Sequence, residues 1–128
     1  MDDKSQRMVW IDLEMTGLDI EKESIIEIAT VITDSELNII AQGPNLAVSV
    51  SEELLAGMDE WNTTHHNQSG LVERIRHEGV SISEAQQQTL EFLKQWVNPK
   101  TAPLCGNSVW TVRRFLDQEM PLVAEYLH

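Results

Sequence analysis

Met8-Val9-Trp10-Ile11-Asp12-Leu13-Glu14-Met15-Thr16-Gly17-Leu18-Asp19 is the stretch on which the reading of this chain turns. It starts as an apolar, β-branched run and predicts a buried strand. Strand side chains alternate between faces, so Asp12 and Glu14 point one way and Val9, Ile11 and Leu13 the other. Two strand rises put the carboxylate-bearing Cα atoms roughly 6.5–7 Å apart. Like charges on one face of a core strand repel, and burying them is costly unless a cation lies between. Divalent metals about 3.5–4 Å apart fit such a gap and serve phosphodiester chemistry. A solvated pair or a helix cap is the competing reading of an isolated Asp-x-Glu. Thr16-Gly17 then predicts a turn where backbone can come close to a ligand.

Outward from this stretch, the whole chain has 128 residues, 41% of them hydrophobic, which suits one domain with a real core. No apolar run is long enough to predict a transmembrane helix. Met1–Arg7 lacks the basic and apolar regions of a signal peptide. A single cysteine, Cys105, rules out a disulfide within the chain and a Cys-rich zinc site, and a cytoplasmic location is expected. The net charge of −12 argues against a protein that wraps long nucleic acid, which needs a basic stripe. It leaves room for an enzyme acting on a few nucleotides, where bound metals supply local positive charge.

In chain order, residues 1–7 are expected to fray. A second buried strand is predicted at Ile25–Thr33. Glu27 interrupts it, either as a structural partner for a backbone or cationic group, which is preferred, or as a third metal carboxylate. A third strand is predicted in two pieces, Leu37–Ala41 and Leu46–Val50, broken at Gly43-Pro44, making an antiparallel meander. Ser51 reads as a helix N-cap. Residues 61–70 read as a polar stretch led by Trp61. Leu71–His77 predicts a helix ended by Gly79, and Ser81-x-x-Glu84 a capping box. It opens an amphipathic helix through Ile82, Ala85, Thr89, Leu90, Leu93, Trp96 and Val97. A short strand at 102–106, a helix at Val109–Gln118 and a last helix from Met120-Pro121 follow. Trp10 and Trp96 are placed on buried faces. This order predicts a mixed α/β sheet with flanking helices.

Asp12-Leu13-Glu14-Met15-Thr16-Gly17-Leu18-Asp19 closely resembles the first exonuclease motif of the oligoribonucleases, a branch of the DEDD exonucleases. Gly106-Asn107-Ser108-Val109-Trp110-Thr111-Val112-Arg113-Arg114-Phe115-Leu116 resembles the second, with Gly-Asn-Ser and Arg-Arg-Phe-Leu fixing the frame. The Met58-Asp59-Glu60-Trp61 and Thr64-His65 region is similar to the family's substrate loop. The resemblance implies a ribonuclease H-like fold and 3′-to-5′ hydrolysis of very short RNAs to mononucleotides with divalent Mg²⁺ or Mn²⁺. It implies catalytic and metal-binding roles for Asp12 and Glu14, base contacts for Leu18 and Trp61, and a 5′-phosphate contact for Ser108. Short RNA is the implied partner, not long nucleic acid or a membrane, with a homodimer in the intact family. For Trp61 a packing role is the alternative, and for Ser108 a helix-capping role, which could coexist. His65 and His66 read as loop residues, because adjacent histidines point in different directions and rarely chelate one ion.

The second motif's metal-binding aspartate falls on Val112, which has no lone pair for a hard cation. The resemblance spans residues 8–128 and the N-terminal two-thirds or so of the family's domain, so 1–128 reads as a single, partial exonuclease domain. Two expectations follow: that the chain as written lacks turnover, surviving at most as a remnant that binds short oligonucleotides or a protein, and that apolar surface is exposed on Ile25–Ile32 and the 82–97 helix.

Overall fold

In the computed structural model, residues 4–128 are described. The architecture is mixed α/β: a four-stranded sheet in the order β3-β2-β1-β4 with helices packed on it. β1 (Met8–Met15), β2 (Ile25–Thr33) and β3 (Ile39–Ala47) form the antiparallel meander, and β4 (Leu104–Cys105) pairs parallel with β1. In register, Val9 faces Ile32, Ile11 faces Thr30 and Leu13 faces Ile28, so one side of the β1–β2 pair is continuous and buried. That side belongs to the main core cluster with Ala85, Leu90 and Leu93 of α4 (Ile82–Trp96) and Phe115 and Leu116 of α5 (Val109–Glu119). Val123 and Ala124 of α6 (Pro121–Tyr126) complete it. The other side carries Trp10, Asp12 and Glu14 opposite Val31, Ala29 and Glu27, all half-buried or exposed.

A second, smaller core joins Ile26 and Ala47 of the sheet to Leu55, Met58, Leu71, Val72 and Ile75. These come from α1 (Glu52–Ala56), α3 (Leu71–Glu78) and the link between α1 and α2 (Glu60–Gln68). The helix starts follow from local chemistry. Ser51 Oγ accepts the Leu54 N–H, Asp59 Oδ1 the Asn62 N–H and Ser81 Oγ the Glu84 N–H, each satisfying a donor the helix leaves open.

Several expectations change. β3 runs unbroken through Gly43-Pro44, because it is an edge strand pairing only with β2. The register moves from Val31–Gln42 to Ala29–Asn45, so Gly43 and Pro44 fall in a bulge where a missing N–H costs no ladder bond. Gly43 also lies under the Phe92 ring, which a Cβ would approach to 2.7 Å. Residues 61–70 are largely helical, forming most of α2 and ending at Gly70, the N-cap of α3. Trp10 sits on the carboxylate side of β1, half-buried, its Nε1–H donating to Thr33 Oγ1 at 2.9 Å. Residues 1–3 of the stretch expected to fray lie outside the described residues. Lys4–Gln6 form a 3-10 turn, and the buried Arg7 donates to the Trp96 carbonyl at 2.5 Å. Ile25, Ile26, Ile28 and Ile32 are fully buried, as are Ala85 and Leu93, so apolar exposure falls elsewhere: on Leu18, Leu37, Ile39, Trp61, Val109, Trp110 and Leu122.

Candidate active site

The site is built where β1 ends. Its pairing with β2 slips between Glu14 and Met15, so the strand stops pairing regularly one residue after the second carboxylate. Thr16 closes the following turn: its N–H donates to the Ser24 carbonyl at 3.0 Å and its Oγ1 accepts the Ser24 N–H at 3.0 Å. The same hydroxyl donates to Glu23 Oε2 at 2.5 Å. The Glu23 side chain lies against Gly17, where a Cβ would meet it at 2.9 Å. This packing carries Leu18 outward, 76% exposed.

Trp61, 67% exposed, sits in the first turn of α2, just after the Asp59 cap. Its ring stacks on His65 with centroids 4.8 Å apart. Glu14, Met15, Gly17, Leu18, Asp59, Trp61 and Asn62 line one cavity of about 440 Å³. The structure thus gathers Glu14, Leu18 and Trp61 around a single space. Asp12 shares Glu14's face of β1 and opens onto a neighbouring cavity of about 330 Å³, lined also by Trp10, Ala29, Val31, Gly106 and Asn107. Ala29, the residue opposite Asp12, is small enough to leave that space.

The carboxylates differ in their company. Glu27, directly across from Glu14, is ion-paired with Arg74, as its preferred structural reading expects. Glu14 and Asp12 have no Arg or Lys partner among the described residues. Burial pushes the Glu14 carboxyl above its ordinary range, and the charges of Asp12 and Glu27 push the same way against the nearby His66 and His65.

His66 is a buried residue of α2 rather than part of a loop, only 1% exposed. Its Nε2 lies 2.9 Å from the Met15 carbonyl oxygen, which can only accept, so Nε2 carries the hydrogen. Nδ1 points toward Glu14 Oε2 at 3.9 Å and has no hydrogen-bond partner. Glu14, His65 and His66 each bring one ligand atom within 4.8 Å of the others. The neighbouring histidines therefore converge on a common acid despite their different directions along the helix. The available sequence signal for α2 was Asp59-x-x-Asn62, a capping pair; Arg74 as the partner of Glu27 had none.

The second motif's segment has a tightly constrained backbone. Gly106 crosses β1 so closely that a Cβ would lie 2.7 Å from the Ile11 carbonyl oxygen, at φ +152°. Ser108 holds a left-handed conformation, φ 50°, at the start of α5. Its side chain makes no capping bond, so the capping alternative is not realised, and it lines neither cavity. Val112 is 5% exposed within the main core cluster. Two hard oxygen donors on one face, with no Arg or Lys partner among the described residues, fit a divalent cation at Asp12 and Glu14. Val112 adds no donor.

Comparison with known proteins is consistent across the chain. Residues 9–128 match the RNase_T family model, described as Exonuclease. An oligoribonuclease of Acinetobacter baylyi is 57% identical over 122 residues, covering 95% of this chain and 67% of that protein. One from Pseudomonas aeruginosa is 55% identical over 123 residues, 96% of this chain and 68% of its own length. One from Alcanivorax borkumensis is 54% identical over the whole chain and 71% of its own length. Among solved structures, E. coli exonuclease I in complex with a dT13 oligonucleotide superposes with a TM-score of 0.66 at 15% identity. The match covers 86% of this chain and 22% of exonuclease I, and shows the shared fold.

Proposed function

The chain belongs to the oligoribonuclease family of exonucleases, and from that membership we propose that it is a 3′-to-5′ exoribonuclease that releases mononucleotides from very short RNAs, with residues 1–128 forming a single, partial exonuclease domain. The observation that carries the site is the shared cavity: an acid of the first motif, Glu14, meets the exposed Leu18 and Trp61 in one space. Exonucleases of this family depend on divalent metal, and Asp12 and Glu14 are the residues that would hold Mg²⁺ or Mn²⁺. When bound, such an ion supplies Lewis-acid stabilisation of charge developing on the phosphoryl group.

The chain's own residues do the rest. Trp61 offers a face on which any base can stack, worth about 1–3 kcal/mol per base. Leu18 presents an apolar edge across the same cavity and orients the terminal bases. Ser108 is exposed and its hydroxyl is not engaged in capping, so it is free to bond a 5′ phosphate. The net charge of −12 selects against long polyanions and for substrates with few phosphates. Arg74 engages Glu27 in an ion pair, so that acid serves a structural role beside the site. A homodimer and a cytoplasmic location complete this reading.

The decisive experiment is incubation of the purified 128-residue protein with a labelled diribonucleotide and Mn²⁺. Metal-dependent release of mononucleotide, lost in Asp12→Asn, is expected. A second reading rests on Val112, buried and donor-free where the second motif carries a metal-binding acid: a protein that binds short oligonucleotides without turning them over. Dinucleotide binding with no turnover would favour it, and absence of both would end the oligonucleotide reading. Sedimentation analysis at micromolar protein tests the dimer.

A further inference from the structure

We propose that Glu14, His65 and His66 form a second, chemically distinct metal site, selective for a borderline transition-metal ion of the Zn²⁺ class. Each of these residues presents one donor atom within 4.8 Å of the other two. Two imidazole nitrogens and one carboxylate oxygen are a donor set that suits zinc and its neighbours and disfavours Mg²⁺, which prefers oxygen and water. The Asp12–Glu14 pair offers the opposite preference.

His66 is the observation that makes this more than proximity. Its ring is 1% exposed, and its Nδ1 is buried without a hydrogen-bond partner. With Nε2–H given to the Met15 carbonyl, Nδ1 is the nitrogen left to face a carboxylate oxygen 3.9 Å away. A buried nitrogen with no hydrogen-bond partner, set opposite a carboxylate, is an arrangement that a metal ion ligated by both satisfies. A histidine that ligates metal through one nitrogen almost always donates the other N–H to a carbonyl or carboxylate, which fixes the tautomer and aims the ring. The Met15 carbonyl already does this for His66.

The remaining movement is small and falls on the mobile partners. Tetrahedral zinc with bonds of about 2.0–2.1 Å needs donors about 3.3 Å apart. His65 is exposed and the Glu14 side chain is 35% exposed, so both can close on the fixed His66. His65 now stacks on Trp61, and turning toward the ion removes that stack. Occupation therefore draws Glu14 away from Asp12 and changes the face that Trp61 presents to a base. The binding claim stands on its own; only the consequence for substrate rests on the exonuclease reading.

The test uses the full chain freed of metal, in saturating Mg²⁺. Zn²⁺ is titrated calorimetrically, and Co²⁺ is followed by its visible absorption. One equivalent is expected to bind, with affinity falling at least tenfold in His65→Ala and in Glu14→Gln and unchanged in Asp12→Asn. His65 is exposed, so its variant tests the site without disturbing the core, and Glu14→Gln gives an independent loss of a ligand. His77→Ala controls for the surface pair His77–Glu73, 3.2 Å apart, and is expected to bind as the parent does. Equal Zn²⁺ affinity in the parent, His65→Ala and Glu14→Gln, or loss confined to His77→Ala, overturns the proposal. So does failure of the parent to bind Zn²⁺ in the presence of Mg²⁺.

Discussion

The first and second motifs lie side by side, Asp12 and Gly106–Asn107 lining the same cavity, yet they carry different things. The first has both its scaffold and its chemistry: a strand that alternates correctly, a turn that throws Leu18 outward, and two carboxylates with no Arg or Lys partner among the described residues. The second shows a constrained backbone without a donor. Gly106 crosses β1 at a distance only glycine permits, and Ser108 turns the chain into α5, but the position where the resemblance implies an acid is a core valine. Backbone architecture and donor chemistry are thus separable. A close backbone approach constrains one residue to be glycine, whereas a buried helix position accepts any side chain that packs.

The largest expected effect strikes the first motif. Asp12→Asn keeps the size of an exposed side chain, so the fold should hold while any metal-dependent nuclease activity falls by about a hundredfold or more. Circular dichroism and dinucleotide turnover measured together check this. Unchanged turnover would mean that the two motifs do not differ in chemistry after all.

Val112→Asp tests the second motif from the other side. In the metal-free protein the new carboxylate enters an apolar cluster with Phe115 and Leu116, and a loss of about 3 kcal/mol is expected by urea unfolding. Mn²⁺ should recover more stability in this variant than in the parent, since a restored acid can help to hold the ion. A variant as stable as the parent without metal would show that residue 112 faces the site rather than the core. Gly106→Ala comes next, with about 2 kcal/mol expected from the backbone clash with Ile11. An unperturbed Gly106→Ala would remove the claim that the second motif's backbone is constrained.

How much of this was legible in the sequence depended on whether burial wrote a period. β1 and α4 bury one face each, and their alternation of two and spacing of three and four predicted both elements and the shared side of Asp12 and Glu14. α2 buries His66 alone, so it has no apolar stripe and reads as a loop despite its Asp59 cap. The break expected at Gly43-Pro44 failed because an edge strand tolerates what a central strand does not. The convergence of His65 and His66 on Glu14 joins residues about fifty positions apart, and no local pattern announces it.

The smallest expected effect checks the rule behind the comparison, that a carboxylate's partners decide whether its charge stabilises the fold. Asp34, at the β2–β3 connection, is the counterpart of Glu14. Its Oδ1 accepts the N–H groups of Glu36 at 2.8 Å and Asn38 at 2.9 Å, and its Oδ2 the Asn38 side-chain amide at 3.0 Å. The hydrogen bonds from Asn38, aided by Glu36, hold its carboxyl below the ordinary value of 3.8. A carboxyl lowered by folding adds stability that is fully present above its unfolded value and is lost as pH falls through the folded one. Asp34 lies at the surface and its hydrogen bonds are open to solvent, so the contribution is small. Parent and Asp34→Asn should therefore differ slightly in urea midpoint at neutral pH, with the parent ahead, because the amide keeps one acceptor but not the charge. The gap should close as the solution is acidified below the usual aspartate range, while the titration of all other groups cancels between the two proteins. A gap that stays constant, or widens in acid, would mean that satisfied hydrogen bonds do not stabilise this charge, and the contrast between the partnered Asp34 and Glu27 and a Glu14 with no Arg or Lys partner among the described residues would lose its meaning.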